Sequence, residues 1–122
     1  MKTDILAFGA HPDDVELGCG GTIAKLISEG KTCVIVDLTR GELGTRGTDQ
    51  TRKEEAAEAA KILGVAAREN LGFKDGFLVN SEEYQIELVK MIRKYRPEIV
   101  LANAIDDRHP DHAKAAKLES DA

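Results

Sequence analysis

Cys33 to Leu38 reads CVIVDL, apolar at every position but one and rich in β-branched side chains. A run with no polar alternation suits a strand buried on both faces, which is the habit of parallel sheets covered by helices. Working outward, Val15–Glu29 has helical spacing, with Leu17, Ile23, Leu26 and Ile27 available for one face and Gly30 as a stop. Before it lies the short apolar run Ile5–Phe8. On the other side, Arg40–Gln50 (RGELGTRGTDQ) is a glycine-rich loop. Thr51-Arg52-Lys53-Glu54 has the form of a capping box and opens an Ala-rich helix that stops at Gly64.

The alternation continues. Arg68–Leu71 reads as a short third strand. Ser81-Glu82-Glu83 opens a helix with Ile86, Leu88, Val89 and Ile92, which ends before Pro97. Ile99–Ala102 is a fourth strand. Strand and helix alternating through residues 1–122 predict one α/β domain, a Rossmann-like doubly wound parallel sheet with right-handed crossovers. In the order 3-2-1-4, strands one and four are neighbours and the ligand crevice lies beyond their C-terminal ends. The chain stops at Lys117-Leu118-Glu119-Ser120-Asp121-Ala122, within a helical pattern that has no stop signal. It is therefore expected to be the N-terminal part of a longer protein.

A net charge of -5 leaves no basic footprint for nucleic acid. No apolar run approaches the ~20 residues of a membrane span. Met1-Lys2-Thr3-Asp4 leads into the first strand without a signal-peptide pattern. Cys19 and Cys33 form neither a disulfide framework nor a CxxC motif, so a reducing cytoplasm is the expected setting.

The chemistry gathers where strands one and four end. "AHPDD" spans Ala10–Asp14 and "HPDH" spans His109–His112, and these motifs hold all three histidines of the chain. In both, the proline is expected in the first helical turn, where its missing N–H costs nothing. Carboxylates there are also favoured by the helix dipole, which alone would explain Asp13 or Asp14. That reading does not explain the same arrangement twice on facing loops. A metal site does: His11, Asp14 and His112 offer two nitrogens and one oxygen, the three-ligand pattern of catalytic zinc. Asp13 is then free to act as general base. His109 faces the reacting group, and Asp111 holds an imidazole in its tautomer.

These motifs, with the finer pattern "FGAHPDDVELGCGGTIAKL…DLTRGELGTRGT…RKEEA…DRHPDHAKAA", resemble the zinc-dependent N-acetylglucosamine deacetylases of the PIG-L/LmbE-like family. The similarity is strongest to the bacillithiol-biosynthesis branch, whose members remove acetate from N-acetylglucosaminyl-malate. It runs in order along essentially the whole chain. The resemblance implies one Zn2+ held by His11, Asp14 and His112, Asp13 as base, and His109 stabilising the oxyanion. It implies that Arg52 faces a small-molecule amino-sugar substrate, and that the protein assembles as a homo-oligomer. Fe2+ or Mn2+ would suit the same donors.

Other features have plainer readings. Leu17–Thr22 (LGCGGT) fails the G-x-G-x-x-G pattern at Ile23, and close helix packing is the expected role of its glycines. Cys19 is expected to be a small buried residue and Cys33 a core residue. Arg40, Glu42, Arg46 and Arg108 are surface charges within reach of a substrate, and the arginines suit an anionic one. "RKEEAAEAAK" reads as a solvated face with i,i+4 pairs, Arg52 excepted.

Two further readings remain open from the residues. A metal-dependent phosphoesterase would use similar donors but usually needs more of them. A zinc-binding module without turnover would have no use for the spare carboxylate Asp13.

Overall fold

The computed structural model describes residues 2–12, 14–41, 49–74, 76, 78–103 and 110–122, with positions 49 and 110–113 described by backbone only. Four strands and four helices alternate. They are β1 (Ile5–Gly9), α1 (Asp14–Ser28), β2 (Cys33–Thr39), α2 (Asp49–Leu63), β3 (Ala67–Phe73), α3 (Glu82–Tyr95), β4 (Ile99–Leu101) and α4 (Pro110–Asp121). The strands form one sheet in the order β3-β2-β1-β4, every pair parallel. Ile5 lies beside both Cys33 and Ile99, and Ala7 beside Ile35 and Leu101. The expected strand order is therefore the observed one.

Each face of the sheet carries its own core. Ile5, Ala7, Cys33 and Ile35 pack with Val15 and Ile23 of α1, and Leu63 of α2 joins them. Leu6, Phe8, Val34, Val36 and Leu38 meet Leu88 and Tyr95 of α3 and Ala115 and Leu118 of α4. All seven residues of β2 are buried, as a central parallel strand requires.

The helix ends follow local chemistry. Ser81 caps α3, its hydroxyl accepting the Tyr84 N–H at 3.2 Å. Gly30 and Gly64 follow α1 and α2 in the left-handed conformation, as expected of C-terminal stops. Arg96 adopts the same conformation before Pro97, with its N–H on the Ile92 carbonyl.

Several local expectations are corrected. Leu17 is 86% exposed and does not join the core face of α1. The backbone leaves helical geometry at Cys19 (φ -145°, ψ 20°), so residues before it are out of phase with Ile23, Leu26 and Ile27. Among the described residues, Gly18 and Gly21 do not serve close packing, because a Cβ at either would meet nothing within 4 Å, whereas Gly20 is buried and a Cβ there would meet Glu16 Cβ at 4.0 Å. Cys19 is half-buried, while Cys33 is in the core. Pro12 precedes α1, which begins at Asp14, whereas Pro110 does open α4. α2 begins at Asp49, before the expected capping box. Its charged face is solvated, and along it the Gln50 amide donates to the Glu54 carboxylate at 3.2 Å.

Candidate active site

β1 and β4 lie side by side, with α1 and α4 on opposite faces of the sheet. The chain after each strand therefore emerges at one end of the sheet, at the switch point between neighbouring strands.

The first motif is closed on itself. The Asp14 carboxylate accepts the His11 backbone N–H at 2.9 Å, and the Asp14 N–H donates to the His11 carbonyl at 3.2 Å. This brings His11 Nδ1 to 3.7 Å from Asp14 Oδ2, with the two side chains only 12% and 16% exposed. Gly9 permits the turn: a Cβ there would lie 3.2 Å from both Asp14 Cβ and Val15 Cγ2, and 3.3 Å from the His11 carbonyl oxygen. The neighbouring strand is pinned to the same turn. The Thr39 N–H and hydroxyl both donate to the Ala10 carbonyl, at 3.0 and 2.9 Å. The Gly41 N–H donates back to the Thr39 hydroxyl at 3.1 Å.

Beneath the motif lies a buried ion cluster that the sequence reading did not find. Arg68 grips Asp37 through two hydrogen bonds of 2.8 and 3.1 Å. It also reaches Glu16, in the first turn of α1, at 3.0 Å, and the Ala56 carbonyl of α2 at 3.4 Å. Burial lifts the Asp37 carboxyl to about 6, against the opposing pull of Arg68, and the charges of Glu16 and Asp14 add to the lift. One signal was available: Asp37 is the lone charge in CVIVDL, and a charge in a strand buried on both faces needs a partner.

Glu119 of α4 was also missed, since an acid in a helix ordinarily reads as solvated. It is buried, and one carboxylate oxygen accepts the Asn103 N–H at 2.8 Å, joining α4 to the chain just beyond β4. The other oxygen is buried without a partner among the described residues. Burial raises its pKa to about 8; the Asn103 N–H opposes this and the charge of Asp14 adds to it.

Of the expected site residues, the structure brings His11 and Asp14 together. His112 and Asp111 lie in the first turn of α4, and their side chains are outside the described residues. Asp13, Arg108 and His109 are outside the described residues altogether, as are Glu42 and Arg46. Arg52 lies in α2 with its guanidinium against the chain after β2, where a Cβ on Gly41 would meet it at 2.8 Å. Its Nε is buried and has no hydrogen-bond partner among the described residues. Buried polar groups are ordinarily hydrogen-bonded, so this nitrogen stands out.

The donor chemistry at His11 and Asp14 fits a divalent metal: an imidazole and a carboxylate, close together and largely shielded from water. Among the described residues no third histidine, cysteine or carboxylate completes the set.

The fold and this site define a Rossmann-like α/β protein with a histidine–carboxylate pair at the strand switch point. Residues 6–122 match the family described as PIG-L, GlcNAc-PI de-N-acetylase, and the chain belongs to that family. It is 39% identical to the diacetylchitobiose deacetylase of Thermococcus kodakarensis, over 93% of this chain and 46% of that one. Its structure is similar to that of the conserved protein TT1542 from Thermus thermophilus, with a TM-score of 0.92, 48% identity and coverage of 97% and 54% of the two chains. The N,N'-diacetylchitobiose deacetylase from Pyrococcus horikoshii superposes with a TM-score of 0.87 at 33% identity, covering 95% of this chain and 47% of that one. The chain spans about half the length of the relatives it matches. No described helix is long and apolar enough to cross a membrane.

Proposed function

We propose that this chain carries the metal-binding half of an N-deacetylase that removes acetate from an N-acetylglucosamine conjugate. The observation that carries the reading is the closed His11–Asp14 pair at the switch point, in a chain of this family. The finer substrate we propose is N-acetylglucosaminyl-malate, the bacillithiol precursor, on the strength of the motif pattern around Arg40–Thr48 and His109–Ala116.

In this reading His11, Asp14 and His112 hold one zinc ion. Bound there, zinc supplies Lewis acidity to the acetyl carbonyl and lowers the pKa of a water. Asp13 takes a proton from the water as its oxygen attacks the acetyl carbon. His109 donates a hydrogen bond to the oxygen that becomes negative, a type of contact worth about 10²–10³ in rate. The C–N bond then breaks, the amine leaving with a proton and acetate remaining. Asp111 keeps an imidazole oriented, and Arg52 and Arg108 hold the substrate. The buried, unsatisfied Arg52 Nε supports its part in this assignment.

The test is acetate release from N-acetylglucosaminyl-malate and from N-acetylglucosamine, as purified, after chelation and after zinc is restored. Release that stops with chelator and returns with zinc is the expected result. Asp13→Ala should keep zinc and lose at least about 10²-fold in rate; an unchanged rate removes Asp13 from the base role. His112→Ala should lose zinc in equilibrium dialysis, and full retention would overturn its assignment as a ligand.

A further inference from the structure

A cleft of about 400 Å³ opens between α2 and the C-terminal ends of β2 and β3. Pro12, the residue after His11, forms part of its wall. Asp37 and Arg68 also line it, and there they satisfy each other. Glu69, the other acid on its wall, is taken by the Tyr95 hydroxyl and by Lys94.

Two cations on the cleft are not so engaged. Arg40 approaches from the end of β2 and Lys53 from α2. Both are exposed, and neither makes a hydrogen bond or ion pair with any described residue. Lys53 follows Arg52 in the second turn of α2, on the same wall of the cleft as Gln50, Ala56 and Ala57. Two cations on one cavity wall, without an anionic partner among the described residues, suit a ligand that supplies one. The missing charge is negative. The Arg40 fork suits a carboxylate or a phosphate, and Lys53 adds a point charge.

We propose that this cleft is a subsite for an anionic arm, carboxylate or phosphate, of the amino-sugar conjugate, with Arg40 and Lys53 as the residues that select it. The proposal rests on the deacetylase reading for the identity of the substrate, but the binding it requires does not depend on turnover.

The experiment is an NMR titration of the labelled chain with malate, inorganic phosphate, N-acetylglucosamine and N-acetylglucosaminyl-malate in turn. Malate and phosphate should shift the amides of Gln50 to Ala57 and of Asn70, and N-acetylglucosamine should leave them in place. The full conjugate should move these amides together with those of His11 and Asp14. Arg40→Gln/Lys53→Gln, which alters only exposed side chains, should weaken binding of malate and of the conjugate by about tenfold or more, as expected for lost charge-assisted contacts. Cleft amides that ignore both anions overturn the proposal. So does a conjugate that leaves them unmoved although free malate or phosphate shifts them, because the site then serves only a free anion. If the conjugate occupies the cleft while no acetate is released, the subsite stands, because binding there does not require turnover.

Discussion

Glu119 keeps one carboxylate oxygen on the Asn103 N–H and leaves the other buried and unpaired. Its folded pKa, raised to about 8, lies above its ordinary value, so the folded state retains a proton that the unfolded chain has already lost. Below the unfolded pKa both states are protonated and no stability is lost. As pH rises toward 8 the unfolded state is progressively favoured, and above that the loss is constant. Glu119→Gln should thus match the parent chain near pH 4 and melt several degrees higher near pH 9, by thermal denaturation followed with circular dichroism. Asp37 contributes with the same sign over a lower range, but equally to both proteins, so it cancels in the difference. Arg68 calls for a different expectation. Arg68→Met leaves Asp37 and Glu16 buried without their cation and should cost about 3–5 kcal/mol in urea unfolding. Adding Asp37→Asn should recover part of that loss; a double variant less stable than the single one would contradict the pairing.

Among elements, β1 and β2 were the most legible, because burial on both faces writes itself into composition. CVIVDL needed no context to be read as a central parallel strand, and all of β2 is buried. α3 was legible for another reason: its serine cap and the proline after it are local chemistry. α1 was not, because a change of helical phase at Cys19 leaves no periodic trace in so short a segment, and Leu17 falls outside the face that its spacing predicts. In the site, motif spacing pointed to His11 and Asp14, whose contact spans a single turn. The Arg68 cluster joins α1, α2, β2 and β3, and the Glu119 link joins α4 to the end of β4. Contacts between elements distant in sequence become visible only when the sheet order is known.

At the scale of the molecule, the two edges of the sheet differ. β3 carries Arg68, Glu69 and Asn70, while β4 at the other edge is wholly apolar. Ile99 and Val100, which point to opposite faces, are 53% and 42% exposed. An uncovered apolar edge invites pairing. This 122-residue chain should therefore associate as its concentration rises, and Val100→Lys should suppress the association in sedimentation velocity. A parent chain that remains monomeric throughout would show that the edge is protected in some other way.

Gly9 bears on how this chemistry could be moved from one protein to another. The turn that closes His11 onto Asp14 is crowded at the position two residues before the histidine, where any side chain would press on Asp14, Val15 and the His11 carbonyl. The transferable unit is thus Gly-x-His-x-x-Asp, with a strand leading in and a helix leading out. A designer who grafts only the four residues His-Pro-Asp-Asp onto a foreign parallel sheet would carry over the donors without the space in which they meet.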